Sequence, residues 1–417
     1  MVSLITYFGS FHPPGRAILH HYKGTILNHH KGRVISDNWH SAKIMAGILS
    51  RRVLTGPHSV QVSIIDACNY RCVMCWEHSS EIEGWGADDL ARDYHATKKN
   101  KATVMNYDVY ESFVRSLRKT GTRDISFAGI GEPLLHKRIV EAVALAKALG
   151  MRVWITTNGS LLTPDLMKEL TRAGLDDINI SLNAGAAGEY GLVHTNQHNS
   201  RFDQIVEKLV WLREYKRRQA LGFPRVTLSH VISNLNSHRA VEMMECAVRI
   251  GAIAVSYRPV DTCAQTSSFS LGTEELETLS RTLPAAAGLG NKNGIGSNVD
   301  TFFQLLALRA AGNIPSPCFA GWLYPFVLAN GDVTYCCISR EVLGNLAERS
   351  FESIWFDPRR RELDKAAIRI HKTQKPVSKS RCFGCEQTLS NQRIYNRLWP
   401  LWGRAGRTAH SASNYQG

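Results

Sequence analysis

The sequence predicts an α/β fold: a partial (β/α)6 TIM-type barrel followed by a small cysteine-bearing domain. Three observations carry this expectation. Strand-like and helix-like patterns alternate through the middle of the chain. Five polar or glycine-containing turns fall after successive strands, all on one rim. Seven of the ten cysteines stand at metal-ligand spacings, in two groups far apart in the chain.

At 417 residues, 44% of them apolar, the chain is long enough for a large barrel and an appended domain. The β-branched run 59–65 reads as the first strand, and 124–128, 152–157, 177–182, 225–232 and 252–257 as the next five. Amphipathic helices lie between them. One covers 138–149; another opens with Thr163 as N-cap and Pro164 at the first helical position and closes at Gly174. Strand, helix, strand repeated in this way implies parallel pairing with right-handed crossovers.

In such sheets reactive groups gather at the carboxyl ends of the strands. The cysteine loop follows strand one, Gly129-Ile-Gly-Glu-Pro133 strand two, and Thr156-Thr-Asn-Gly159 ends strand three. Ser181-Leu-Asn183 ends strand four and Asn234-Leu-Asn236 follows strand five. Tyr257 and Arg258 close strand six and are candidates for meeting substrate or a cofactor's carboxylate, since a guanidinium offers a fixed fork for a carboxylate or phosphate.

Cys68, Cys72 and Cys75 form a C-x3-C-x2-C loop. Three thiolates at this spacing wrap one corner of a cubane cluster and leave the fourth iron open for chemistry. The competing reading is a zinc knot, which usually pairs two C-x2-C units and needs a fourth ligand.

With the Gly-Glu-Pro turn, this loop resembles the radical S-adenosylmethionine (SAM) superfamily. The resemblance implies that Cys68, Cys72 and Cys75 hold a [4Fe–4S] cluster whose open iron is chelated by SAM. It implies that Gly131, Glu132 and Pro133 approach the SAM amino group, and that Thr157, Asn158, Ser181 and Asn183 contact its ribose or carboxylate. Asn236 matches a frequent polar position after strand five. Ile130 and Met74 depart from the family pattern, yet neither removes an iron ligand.

A second group, Cys318, Cys336, Cys382 and Cys385, with Gly331 between the first two, resembles the SPASM domain of the same superfamily. No cysteine follows Cys385, so the resemblance implies the abbreviated twitch form with one auxiliary [4Fe–4S] cluster. Cys337 competes with Cys336 as ligand, and a zinc ribbon on these thiolates is the alternative. Gly331-Asp332 reads as a hairpin turn. Cys246 and Cys263 read as core and loop residues, and Glu77 and His78 as candidates for facing substrate.

The expected divisions are an extension over 1–57, the barrel over 58–263, a helical linker over 264–316, the auxiliary domain over 317–390 and a basic, partly disordered tail over 391–417. The net charge is +14, and residues 359–407 hold thirteen Lys and Arg against three acids. A surface of that sign suits an acidic flavodoxin or ferredoxin as electron donor. No aromatic-interleaved motif accompanies it, so no nucleic-acid partner is expected. No 18-residue uncharged apolar stretch occurs, so no membrane partner is expected. The N-terminus lacks signal-peptide character, and cysteines in ligand spacings suit a reducing cytoplasm.

The function implied by the resemblance is reductive cleavage of SAM to a 5′-deoxyadenosyl radical. That radical takes hydrogen from a small polar metabolite, sugar or aminocyclitol-like, which is oxidised or rearranged. The alternatives are modification of a ribosomally made peptide and a non-catalytic iron–sulfur carrier or scaffold.

Overall fold

A computed structural model of the chain describes residues 31–82 and 102–398, with side chains from residue 39 onward. Its centre is one sheet of ten strands in the order β10-β9-β8-β1-β2-β3-β4-β5-β6-β7. The parallel run is β1 (Ser59–Val62), β2 (Asp124–Phe127), β3 (Arg152–Thr157), β4 (Asp177–Ser181), β5 (Arg225–Ile232), β6 (Ala254–Pro259) and the short β7 (Gly296–Ser297). All six expected strands are present. The seventh was hidden by its Gly/Asn-rich surroundings, which carry no strand signature.

Side chains alternate between the two faces of a strand, and here the faces differ in chemistry. Val60, Val62, Ile125, Phe127, Val153, Ile155, Ile178, Ile180, Leu228 and Ile232 lie buried under the helices. Each such burial contributes roughly 1.5–3 kcal/mol. The opposite face is polar. Cross-strand register aligns Gln61 with Ser126, Thr156 with Asn179 and Thr227, and Ser181 with Ser229 and Ser256. These side chains line the concave interior of the partial barrel.

Local chemistry fixes the helices. Asn106 caps Tyr107–Lys119 by accepting from the Asp108 and Val109 amides, and Tyr110, Phe113, Val114 and Leu117 form its buried stripe. Thr163 caps Pro164–Arg172 as expected, and Gly174, at φ +88°, turns the chain into β4.

The sixth strand begins two residues later than expected. Gly251, left-handed at φ +68°, caps the helix Ala240–Ile250, and the residues after it complete the turn before Ala254. Segment 264–316 is not a loose connection: Leu279, Leu283 and Ala286 of the helix Thr273–Lys292 join the barrel's main core. That helix runs through the glycines at 288 and 290 as far as Lys292 and ends at Asn293.

The C-terminal segment extends the barrel sheet. β8 (Phe326–Val327) pairs parallel with β1, and β9 (Asp332–Thr334) and β10 (Val342–Asn345) follow antiparallel. Gly331, at φ +89°, makes the expected turn between β8 and β9. The N-terminal extension contains a helix, Lys31–Ser50, whose Ile44 and Ile48 pack with Phe319, Trp322, Leu323, Ile394 and Leu398. Residues 391–398 of the basic tail are thus helical and anchored; 399–417, including the polar stretch from Gly403, lie outside the described residues. No described helix is long and apolar enough to cross a membrane.

Candidate active site

The loop beyond β1 presents three half-buried cysteines at the rim. Its backbone is arranged for sulfur: the Tyr70 amide donates to Cys68 Sγ at 3.4 Å and the His78 amide to Cys75 Sγ at 3.3 Å. Cys72 Sγ lies 3.0 Å from His194 Nδ1. Burial pushes the Cys68 thiol up to about 12, and it raises Cys72 and Cys75 as well. Next in size for Cys72 is repulsion from Cys75 and Cys68. Three thiols that disfavour one another's ionisation in a low-dielectric site release their protons to a metal rather than to water. Among the described residues no three His, Cys, Asp or Glu groups are arranged around a single metal ion.

The second turn is pressed against this loop. A Cβ at Gly131 would strike the carbonyl oxygens of Ala67 and Ile65, so only glycine permits the approach. The Glu132 amide then donates to Ala67 O at 2.8 Å. The buried Glu132 carboxylate accepts from Thr157 Oγ1 at 2.6 Å, the Asn158 amide at 2.8 Å and the Leu134 amide at 3.1 Å. Burial raises its pKa, and these three bonds oppose the rise. Pro133 starts the short turn that follows.

Glu132, Thr157 and Asn158 therefore come together, but as a bracket binding the β2 turn to the end of β3. Asn158 also reaches Asn69 Oδ1 at 2.9 Å, and Asn69 donates to Ser160 Oγ. Asn69 sits inside the cysteine loop, so the bracket extends to the loop itself. Asn183 and Asn236 form a second bracket. Asn183 accepts from the Val231 amide at 2.8 Å, and Asn236 donates to Asn183 O and Val231 O. Ser181 is half-buried on the interior face.

Tyr257 does not stand where the sequence suggested. The strand runs on to Pro259, so Tyr257 lies within β6, and alternation turns it to the helix-facing side, fully buried, with its hydroxyl on Ala240 O at 2.9 Å. Its amide is held by Asn298 Oδ1. Arg258, one residue on, faces the interior rim and pairs with Glu386 at 3.1 Å.

The C-terminal cysteines converge. Cys318, Cys336, Cys337, Cys382 and Cys385 line one cavity of about 30 Å³, larger than the ~10–15 Å³ that one water needs. Burial raises all five thiols, Cys318 to about 11. After burial, Cys336 feels Cys337, Cys318 and Cys385, as expected of groups sharing a site. Cys337 lines the same cavity and also touches the Ile130, Phe326 and Leu328 cluster on the barrel side.

The two cysteine regions are bolted together. Glu77, two residues after Cys75, pairs with Arg340 at 2.5 Å, and the Arg381 guanidinium sits 4.0 Å from the Trp76 ring. Trp76 Nε1 donates to Asp261 O, and Arg309 donates to Pro259 O, Val260 O and Gly384 O. Glu77 is thus engaged with the auxiliary domain, and His78 contacts Asp66 O. Sequence reasoning missed His194, Asn69 and Trp76, since single polar or aromatic residues outside a motif give no local signal.

A parallel barrel whose first strand feeds a three-cysteine loop, beside a five-cysteine cavity, defines an iron–sulfur protein of the barrel type. The chain belongs to the radical SAM superfamily, whose domain model matches residues 62–247; an iron–sulfur cluster-binding (SPASM) domain model matches residues 318–386. Radical SAM domains bind a [4Fe–4S] cluster and SAM, and SPASM domains bind auxiliary iron–sulfur clusters.

The chain is 26% identical over 201 residues to a tungsten-containing aldehyde ferredoxin oxidoreductase cofactor-modifying protein of Pyrococcus furiosus, covering 46% of this chain and 49% of that one. It is 29% identical over 187 residues to a GTP 3′,8-cyclase of Nostoc punctiforme, covering 44% and 51%. The chain thus spans about half the length of the curated relatives it matches. Among solved structures, anSMEcpe with bound AdoMet superposes with a TM-score of 0.56 at 14% identity, covering 84% of this chain and 96% of that one. Streptococcus suis SuiB bound to SAM gives 0.54 at 14%, covering 78% and 72%. These likenesses establish the fold.

Proposed function

We propose that this chain is a radical SAM oxidoreductase acting on a small polar, hydroxyl-rich metabolite. In this reading Cys68, Cys72 and Cys75 hold the catalytic cluster, and Cys318, Cys336, Cys382 and Cys385 hold one auxiliary cluster. Five thiols lining one cavity and three on the rim suit those groups chemically. A [4Fe–4S] cluster held by these three thiolates would supply the one-electron chemistry for reductive cleavage of SAM. The chain's own part is to keep the rim dry and rigid through the Glu132 and Asn236 brackets, and to orient substrate.

The observation that carries the substrate class is the polar interior face. Asn179 Oδ1 and Ser256 Oγ are buried there with no hydrogen-bond partner among the described residues. A buried polar oxygen left unpaired costs roughly 1–3 kcal/mol, so each suits a donor group on a bound ligand, such as a hydroxyl or amine. Arg258 at the same rim adds a cation that can exchange Glu386 for an anionic group of substrate. A flavodoxin or ferredoxin in the cytoplasm is the proposed electron donor.

The peptide reading draws on the SuiB fold, one structure of which is described as bound to precursor peptide SuiA. The test is anaerobic turnover with dithionite and SAM, scoring 5′-deoxyadenosine against panels of deuterated polyols, aminocyclitols, nucleotides and peptides. Deuterium entering 5′-deoxyadenosine from a polyol or aminocyclitol supports the proposal, and Ser256→Ala and Asn179→Ala should then raise its KM. Deuterium from a peptide favours the maturase reading. Full iron content with no SAM binding leaves the carrier reading.

A further inference from the structure

The residues 193–197 lie along the cysteine loop like a short second strand. Val73 N donates to Val193 O at 3.0 Å, and Cys72 and His194 form an antiparallel bridge. The Arg71 amide donates to Asn196 Oδ1 at 2.9 Å, Thr195 Oγ1 to Arg71 O at 2.8 Å, and Asn196 Nδ2 to Asn69 O at 2.9 Å. This strap fixes the His194 backbone against the ligand loop.

Its ring is fixed as well. His194 is 1% exposed, with the Tyr190 ring at 4.4 Å and the Tyr70 ring at 5.2 Å. The two tyrosine hydroxyls meet at 2.9 Å behind it. Nε2 faces Leu182 O at 3.3 Å, while Nδ1 faces Cys72 Sγ at the tighter 3.0 Å. A thiolate on iron has lone pairs and no proton. The Leu182 carbonyl also only accepts, and a neutral imidazole carries a single N–H; the closer approach, Nδ1 to the larger sulfur atom, is the contact that takes it, because facing lone pairs repel most there.

We propose that His194 is a positioning residue for the catalytic cluster: its Nδ1–H donates to the Cys72 thiolate, holding that ligand in place and stabilising the reduced cluster. Reduction adds negative charge to the cluster and its sulfurs, so a donor on a ligand sulfur favours the reduced state and raises the reduction potential. The proposal rests on Cys72 being an iron ligand.

The test uses reconstituted full-length protein, following the reduced-cluster EPR signal that SAM addition perturbs. His194→Leu removes both ring nitrogens, whereas His194→Asn places an amide N–H near the Nδ1 position. At the wild-type midpoint His194→Leu should show about a tenfold lower ratio of reduced to oxidised cluster, equivalent to ~59 mV for one electron. His194→Asn should recover most of that loss.

Wild-type iron content with an unchanged midpoint in His194→Leu overturns the proposal, as does His194→Asn titrating like His194→Leu. Should the variants not fold, wild-type protein carrying ring-15N histidine decides: pulsed EPR of the reduced cluster should show a coupled ring nitrogen, and its absence overturns the proposal. Cys72→Ser serves as a separate control. Full iron and an unaltered signal in that variant would remove Cys72 as a ligand without reference to His194.

Discussion

Glu77 and Arg340, 263 positions apart in the chain, form an ion pair of 2.5 Å with each side chain about one-tenth exposed. The carboxylate lies just beyond the last cysteine of the barrel loop, and the guanidinium just beyond Cys336 and Cys337. The pair joins the loops that carry the two cysteine groups and so helps to set their relative placement. Removing one partner takes this contact from a charge that is nine-tenths buried.

The first prediction follows from that pair. Arg340→Ala should destabilise the iron-loaded protein by about 3 kcal/mol, since breaking a largely buried ion pair carries a cost of that order. A double-mutant cycle with Glu77→Ala, followed by urea denaturation under anaerobic conditions, should show strong coupling. Additive effects would mean the contact does not link the two loops.

Iron content gives the second. Anaerobically reconstituted protein should bind about eight irons in two four-iron clusters, and changing Cys68, Cys72 and Cys75 together to Ala should leave about four. Metal analysis that finds zinc with the C-terminal cysteines would sink the auxiliary-cluster assignment. Separate Cys336→Ser and Cys337→Ser variants should show which thiol holds iron, by which of them loses it.

Glu132 supplies the third. Glu132→Ala should weaken SAM binding while iron is retained, because the bracket joining the β2 turn to Thr157 and Asn158 is lost. Equilibrium binding of SAM measures this, and unchanged affinity removes Glu132 from the cofactor site. Burial raises this carboxyl above its ordinary 4.5, so the folded state holds the proton more tightly than the unfolded chain. The associated stability is present below about 4.5 and is lost as pH rises through the raised value, staying flat above it. Wild type should show that decline in urea melts, and Glu132→Gln, which cannot ionise, should lack it.

The basic segment gives the fourth, in a form the structure corrects. Arg360 is buried, paired with Asp364 at 3.0 Å, bonded to Gly321 O and 4.3 Å from the Trp355 ring, so it belongs to the core. Arg360→Glu should prevent folding. Arg359, Arg361 and Lys365 are exposed. Changing these three to Glu should slow turnover driven by flavodoxin, most strongly at low salt, and leave dithionite-driven turnover near wild type. Equal loss with both reductants, with a raised substrate KM, would instead place an anionic substrate at this surface.

Much of this protein could be read directly from its sequence. Local rules settle six strands, because β-branched runs are stiff and pack well in a pleated sheet. Caps such as Thr163 and turns such as Gly331-Asp332 declare themselves by chemistry that acts within a few residues. Cysteine spacing is equally local: a three-residue loop geometry is needed to wrap a cluster corner, so Cys68, Cys72 and Cys75 stand out with no knowledge of the fold.

What the tertiary structure decided is which partner each polar side chain meets. Tyr257 and Arg258 are neighbours in sequence, yet strand alternation sends one under the helix layer and the other to the rim, and the pairing with β5 sets which. Glu132, Thr157 and Asn158 look alike as rim residues until distance shows them bonded to each other. Arg360 looks like one of a run of surface charges until Asp364 and Trp355 close over it. His194 gains its place only because residues 193–197 fold back on a loop more than 100 positions earlier. Backbone propensity acts over one or two turns, whereas hydrogen bonds and burial depend on atoms that the chain brings together only after it has folded.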